Sequence, residues 1–172
     1  MIKQPRKSAR QHTKIETLSF AGLTMRFGPV GLIVYADHFL AAAKSTHAPV
    51  TAPAFPLVRT FLVCRALELA LKAFLSLKGC SMEQLAGGPF GHNLESLVAE
   101  VEKRDIHALV KLEKRQWAEI IRASTYYSEK VLEYPALMEA VHAYPKLPDA
   151  NILIGTAEAL VSALRQPCLT AD

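Results

Sequence analysis

Residues 56–78, PLVRTFLVCRALELALKAFLSLK, are the longest predominantly apolar stretch of the chain. Leucine and alanine dominate it, so we expect one long helix, and Gly79 is a typical residue to end it. A membrane span is excluded because the stretch carries several charges, among them Arg65, Glu68 and Lys72. A helix that is apolar almost all round needs neighbours on several sides. The stretch is therefore predicted to be the central helix of a multi-helix fold.

Helical periodicity of apolar residues predicts four further helices. They cover about residues 29–45, 93–103, 108–128 and 148–166, and short helical turns are expected at 82–86 and 136–143. Residues 15–27 fit either a short strand pair or an irregular lead-in. Helices joined by connections of modest length predict an all-α fold, an antiparallel bundle of four to five helices.

The length of 172 residues suits one domain. We assign the bundle to residues 29–166, a basic flexible arm and lead-in to 1–28, and a C-terminal tail to 167–172. Residues 1–14 hold five of the twenty basic residues and no acidic one, so the rest of the chain is near neutral. The arm is expected either to be a solvated terminus or to touch phosphates or an acidic partner. No apolar core follows its charges, which argues against a secretory signal.

The three cysteines, Cys64, Cys80 and Cys168, are too widely spaced for a zinc or thioredoxin-like site. An odd count without a signal peptide favours the reducing cytoplasm. The histidines form no spaced cluster with carboxylates, and no phosphate-binding loop, nucleophile elbow or dinucleotide fingerprint occurs. The sequence therefore predicts no metal and no cofactor.

The charges inside the central helix share one face. At 100° per residue, Arg65, Glu68, Lys72 and Ser76 fall within an arc of about 80°. The spacing from Glu68 to Lys72 is that of a favourable helical ion pair. Two interpretations stay open. The stripe is either a solvated strip, or a polar pocket in which Arg65 and Lys72 meet a ligand while Glu68 fixes their geometry.

The order of three segments resembles the prokaryotic HEPN domain family. They are RALELALKAFLSLKG (65–79), GHNLESLVAEVE (91–102) and YYSEKVLEYP (126–135). The family shows a Glu-Leu-x-Leu-Lys-Ala helix with a Lys-Gly end, a His-Asp-Leu-like start of the next helix, and a tyrosine-rich segment ending in Arg-Tyr-Pro. The matching residues are Glu68, Leu69, Leu71, Lys72, Ala73, Lys78, Gly79, His92, Asn93, Leu94, Tyr126, Tyr127, Tyr134 and Pro135. Glu133 stands where the family has arginine. The match covers residues 56–103, and more weakly extends to about 135.

The resemblance implies a helical bundle that often dimerises. Family members act as RNases of toxin–antitoxin or defence systems, or as nucleotide- or RNA-associated modules beside a nucleotidyltransferase. The RNases use an arginine followed, four to six residues later, by a histidine. Here Arg104 and His107 are too close, and Arg122 has no histidine in reach. We therefore expect a non-catalytic binding or regulatory module, a homodimer, associated with a nucleotide, RNA or a neighbouring-gene protein and not with a membrane. The alternatives are an RNase with a degenerate site and a structural dimerisation protein.

Seven residues are candidates for a ligand site or polar network. They are Arg65, Glu68, Lys72, His92, Arg122, Tyr126 and Tyr127. Arg122 with the two tyrosines fits either a phosphate-binding and base-stacking surface or an ordinary helix end. His92 is expected either to contact a ligand, or to cap or pack at the start of the third helix. For the stripe itself we predict bracing: Arg65, Glu68 and Lys72 hold the third helix near His92.

Overall fold

A computed structural model describes residues 16–20, 23–46, 57–130, 132–133 and 147–171. The first described segments are two antiparallel strands, β1 (Glu16–Phe20) and β2 (Leu23–Phe27). Glu16 lies opposite Phe27, and Phe20 lies opposite Leu23. Of the two structures left open for residues 15–27, the strand pair is the one that forms.

All other regular elements of the described chain are helices, which confirms the predicted all-α bundle. Its helices are α1 (Pro29–Ser45), α2 (Leu57–Leu77), α3 (Met82–Ala86), α4 (Leu94–Lys103), α5 (Lys114–Ser128) and α6 (Ala150–Leu169). Two short 3-10 turns, Gly88–Phe90 and Ile106–Ala108, precede α4 and α5. The turn predicted at 136–143 lies outside the described residues.

Helix α2 is the centre of the bundle. Every residue from 66 to 76 is buried, on all sides of the helix, and α2 packs against α1, α4, α5 and α6. Cys64 is a fully buried core residue in the same helix. The chain leaves α2 through Gly79, which has φ +87° and therefore adopts a conformation that glycine favours. Backbone hydrogen bonds from Gly79 N to Ser76 O and from Cys80 N to Leu75 O, both 3.0 Å, satisfy the last carbonyls.

Two helix boundaries differ from the prediction. The helix expected from residue 108 begins only at Lys114, because Glu113 and Gln116 form a reciprocal capping box there. Leu109, which has the spacing of an apolar-face residue in the predicted helix 108–128, lies in the preceding turn and is exposed. Ile121 is exposed because the adjacent Ile120 takes the core position. The last helix continues past residue 166 to Leu169. It includes Pro167, whose missing N–H affects only the final turn.

Among the helices that the structure describes, none is long and apolar enough to cross a membrane.

Candidate functional site

The carboxylate of Glu68 is the centre of a buried polar cluster. Its side chain is 1% exposed, in the middle of α2. Glu68 Oε1 accepts a hydrogen bond from Lys72 Nζ at 2.6 Å, and Oε2 accepts from Arg65 Nη1 at 2.9 Å and from the Tyr127 hydroxyl at 2.5 Å. His92 Nδ1 lies 3.2 Å from the same Oε2. We call these five residues the Glu68 cluster.

Three parts of the fold supply the Glu68 cluster. The i,i+3 and i,i+4 spacings on α2 place Arg65 and Lys72 beside Glu68. Helix α5 contributes Tyr127, and the loop before α4 contributes His92. That loop is also held by its backbone, because the Gly91 carbonyl accepts a 2.8 Å hydrogen bond from Lys72 Nζ. The stripe is thus not a solvated strip: it joins α2 to α5 and to the start of α4.

The electrostatics of the Glu68 cluster favour an ionised carboxylate. Burial alone raises the pKa of Glu68, but the charge and hydrogen bond of Lys72, the Tyr127 hydroxyl and the charge of Arg65 outweigh it, so the pKa lies below its ordinary value. For Arg65, burial lowers the pKa, while Glu68 and Tyr127 outweigh it and leave the pKa raised. A buried carboxylate with several donors is the arrangement that offsets the cost of removing charge from water.

Tyr127 is a structural member of the cluster. The residue is 2% exposed, burial and the negative charge of Glu68 raise the pKa of its hydroxyl, and its ring packs between two others. The centroid of the Tyr127 ring lies 6.0 Å from that of Phe61 and 5.7 Å from that of His92, and the contact with His92 is edge-on. Because Tyr127 is buried, it cannot offer a face for base stacking, and the predicted stacking surface does not include it. Tyr126 is half-buried and packs against the core.

Arg122 does not join the Glu68 cluster. Its Nη1 pairs with Glu119 Oε2 at 3.1 Å, and Glu119 Oε1 accepts from Asp149 N at 2.5 Å. Asp149 in turn caps α6. Glu119 is buried, so this contact fastens α5 to the start of α6. The role of Glu119 was not predicted, since nothing in the spacing of α5 distinguishes it from a solvated acidic residue.

The start of α4 is fixed by two polar side chains beside His92. Asn93 caps the helix, with Oδ1 accepting from Ser96 N at 2.9 Å, as its position predicts. The buried Ser124 of α5 accepts from Glu95 N at 3.0 Å. His92 itself contacts Glu68 and Tyr127 rather than capping the helix. These contacts, with the Lys72–Gly91 bond, hold the segment that carries His92.

A cavity of about 460 Å³ lies against the Glu68 cluster. Arg65, Glu68, Lys72 and His92 line one part of it. The remaining lining comes mainly from apolar side chains of α1 and α3, namely Leu32, Tyr35, Phe39, Met82, Leu85 and Ala86. The side chain of His92 is 45% exposed and Tyr35 is 44% exposed, so both of these lining residues are also in contact with solvent. The volume is within the usual range of small-molecule sites.

The apolar wall of the cavity was not predicted from the sequence. Phe39 has the helical spacing of a core residue of α1, and Met82 and Leu85 fall in the short turn predicted at 82–86. Tyr35 was the available signal, because it is a large aromatic residue on α1 outside that stripe.

Within the described ranges, no group of three or more histidine, cysteine or acidic side chains is arranged to hold a metal ion.

Comparisons with family models, with curated proteins and with solved structures each give no match to this chain. The likeness to the HEPN family thus rests on the residues quoted above and stays a prediction.

Proposed function

We propose that the chain is a HEPN-like binding module whose ligand, a nucleotide, occupies the cavity between α1, α2 and α3. One observation carries the proposal: a cavity of small-molecule size is lined at one part by two cationic side chains, Arg65 and Lys72, and elsewhere by apolar and aromatic ones. A phosphate group fits the first part, and a flat, weakly polar base fits the second.

The cations remain able to bind a ligand although they already contact Glu68. A guanidinium carries five N–H donors and an ammonium three. Glu68 fixes the geometry of both groups before a ligand arrives, which lowers the ordering cost of binding. The bracing role and the binding role of the stripe are therefore compatible.

Titration calorimetry with AMP tests the proposal. Saturable binding is expected for the wild type. We expect Ala86→Trp to abolish binding by filling the cavity from the exposed end of α3, and Arg65→Gln to weaken binding at least about tenfold through loss of a charged hydrogen bond. Arg165→Gln is the matched control, because Arg165 pairs with Asp37 on the exposed surface and should leave binding unchanged. A folded wild-type protein that binds no nucleotide would remove the proposal.

A second candidate, a degenerate RNase, is favoured by the contact between His92 Nδ1 and Glu68 Oε2. A carboxylate on one ring nitrogen orients an imidazole and leaves the other nitrogen for proton transfer. Arg65, in the same cluster, could stabilise charge on a phosphorane. Arg122, for which the sequence left a phosphate-binding role open, is paired with Glu119 instead.

Incubation of RNA with wild type, His92→Ala and His107→Ala decides this candidate. Cleavage that is lost in His92→Ala and kept in His107→Ala supports it. His107 is a suitable control because it is half-exposed and lies near Glu102, outside the Glu68 cluster. Equal and negligible cleavage by all three proteins eliminates the RNase.

The homodimer implied by the family resemblance is also a proposal. Six large apolar side chains are exposed in the described chain, and they are distributed over four helices and one turn: Val34, Tyr35, Val58, Leu109, Ile121 and Leu169. Light scattering at micromolar concentration tests it, and a monomer there would count against both the dimer and a purely structural role.

A further inference from the structure

We infer that the cavity selects a nucleoside monophosphate, with one terminal phosphate at Arg65 and Lys72, over nucleotides with longer phosphate chains. The inference rests on the proposed function, a nucleotide site, and specifies that the preferred nucleotide carries one phosphate group. It follows from the charge that surrounds the cavity, from the donors left on Lys72, and from the placement of the apolar wall.

The charge around the cavity is small. Arg65 and Lys72 contribute two positive charges and Glu68 one negative charge, so their sum is one positive charge. His92 adds another when it is protonated. Every other residue that lines the cavity is uncharged. A phosphate monoester carries about 1.5 to 2 negative charges at pH 7. One terminal phosphate is therefore nearly compensated, whereas further phosphates would leave several charges without a partner in a partly enclosed site.

The hydrogen bonds of Lys72 also favour a ligand with a single phosphate group. Two of its three N–H donors bind Glu68 Oε1 and Gly91 O, at 2.6 and 2.8 Å. One donor is left for a ligand oxygen. With the side chain only 9% exposed, Lys72 is not free to follow an extended phosphate chain. Arg65, which is 31% exposed, supplies the planar donors that suit a single phosphate.

The apolar wall continues directly from these cations. Leu69 follows Glu68 in α2, and Tyr35 and Phe39 lie one turn apart on α1, facing the same cavity as Met82 and Leu85 of α3. A ligand that places its phosphate on Arg65 thus meets aliphatic and aromatic side chains next. A nucleoside monophosphate, in which one sugar joins the phosphate to the base, matches this arrangement of cations followed by apolar side chains.

The same chemistry has two sources, a free mononucleotide and the 5′-monophosphate end of an RNA strand. Tyr35 and His92 line the cavity and are half-exposed, so the cavity is not closed off from solvent, as a continuing strand requires. The shared group is the terminal monophosphate with its first base, and the experiment separates the two sources.

Calorimetric titrations with adenosine, AMP, ADP and ATP test the inference. AMP is expected to bind at least about tenfold more tightly than either adenosine or ATP. Arg65→Gln should reduce the affinity for AMP to that for adenosine, with no change for Arg165→Gln. If ATP binds as tightly as AMP, or adenosine does, the inference is overturned while the proposed function stands. If none of the four binds to folded protein, the proposed function itself fails.

A short RNA with a 5′-phosphate, compared with the same RNA carrying a 5′-hydroxyl, gives the second arm. Tighter binding of the phosphorylated strand, lost in Ala86→Trp, supports the inference with an RNA end as the source. Binding of AMP without binding of either strand supports it with the free nucleotide as the source. Equal binding of both strands in a manner that Ala86→Trp abolishes would overturn it.

Discussion

The hydroxyl of Tyr127 donates a 2.5 Å hydrogen bond to Glu68 Oε2, and so joins two residues 59 positions apart in the sequence. The bond connects the end of α5 to the middle of the central helix. Both residues are almost fully buried. Glu68 also accepts hydrogen bonds from Lys72 and Arg65, which line the cavity. One carboxylate therefore links the packing of the bundle to the wall of the cavity.

Replacing Glu68 by glutamine should destabilise the protein by about 3 to 5 kcal/mol, because the buried charge of Lys72 loses its partner. Glu158→Gln is the control. Glu158 pairs with Lys44 at 2.6 Å on the exposed surface, and its loss should change the free energy of unfolding by less than about 1 kcal/mol. Urea denaturation at pH 7 measures both. Similar values for the two variants would contradict the buried ion pair.

The contribution of Glu68 should disappear in acid. Its pKa in the folded protein lies below the ordinary value of 4.5. Stability from this group is therefore fully present above about pH 4.5 and is lost as the pH falls through the folded pKa. We expect the difference in free energy of unfolding between wild type and Glu68→Gln to be constant from pH 7 to pH 5 and to shrink towards pH 3. A difference that stays the same throughout would exclude the lowered pKa.

Tyr127→Phe should cost about 1.5 to 3 kcal/mol at pH 7, the range for a hydrogen bond to a charged group. The pKa of the hydroxyl is raised above 10.0 in the folded protein. Its stabilisation is thus complete below pH 10 and declines at higher pH, where the unfolded tyrosine ionises first. Urea titrations between pH 8 and 11 measure this. The buried cysteine thiols also have raised pKa values. They are present in both proteins, so their contribution cancels in the difference in free energy of unfolding between wild type and Tyr127→Phe. A difference in free energy of unfolding that does not change with pH would contradict the raised pKa of the Tyr127 hydroxyl.

Removing the hydroxyl of Ser124 should destabilise the protein by about 1 to 2 kcal/mol, because it leaves the Glu95 N–H at the start of α4 without its acceptor. Ser128→Ala is the matched control one turn further along α5. Ser128 is an exposed residue whose hydroxyl donates to the Ser124 carbonyl at 2.7 Å, so we expect a change within about 0.5 kcal/mol. Thermal unfolding of the two alanine variants compares them. Equal melting temperatures would be inconsistent with a brace at the α4 start.

Much of the fold could be predicted from local pattern. The apolar run of 56–78 predicted a central helix, and Gly79 and Asn93 predicted the end of α2 and the start of α4 within a residue. The start of α5 could not be found by periodicity. Leu109 fits the helical spacing, but the capping box at Glu113 begins the helix later.

The candidate site was predicted only in part. Arg65, Glu68 and Lys72 were identified because their spacing on one helix fixes their proximity. His92 and Tyr127 were named from a family resemblance, and their contact with Glu68 depends on how α4 and α5 pack. Of the two roles left open for Arg122 and Tyr127, the structure favours the ordinary helix end over the stacking surface. Packing buries Tyr127, and Arg122 pairs with Glu119.

The sequence by itself determined a helical bundle with three charges on one face of its central helix, because helix periodicity and i,i+4 spacing are local properties of the backbone. The tertiary structure alone decided that this face is buried, that the Gly91 carbonyl accepts a hydrogen bond from Lys72, and that α1 and α3 leave a cavity beside Arg65. Burial, backbone acceptors and cavities arise where separate elements meet, and no local spacing encodes them.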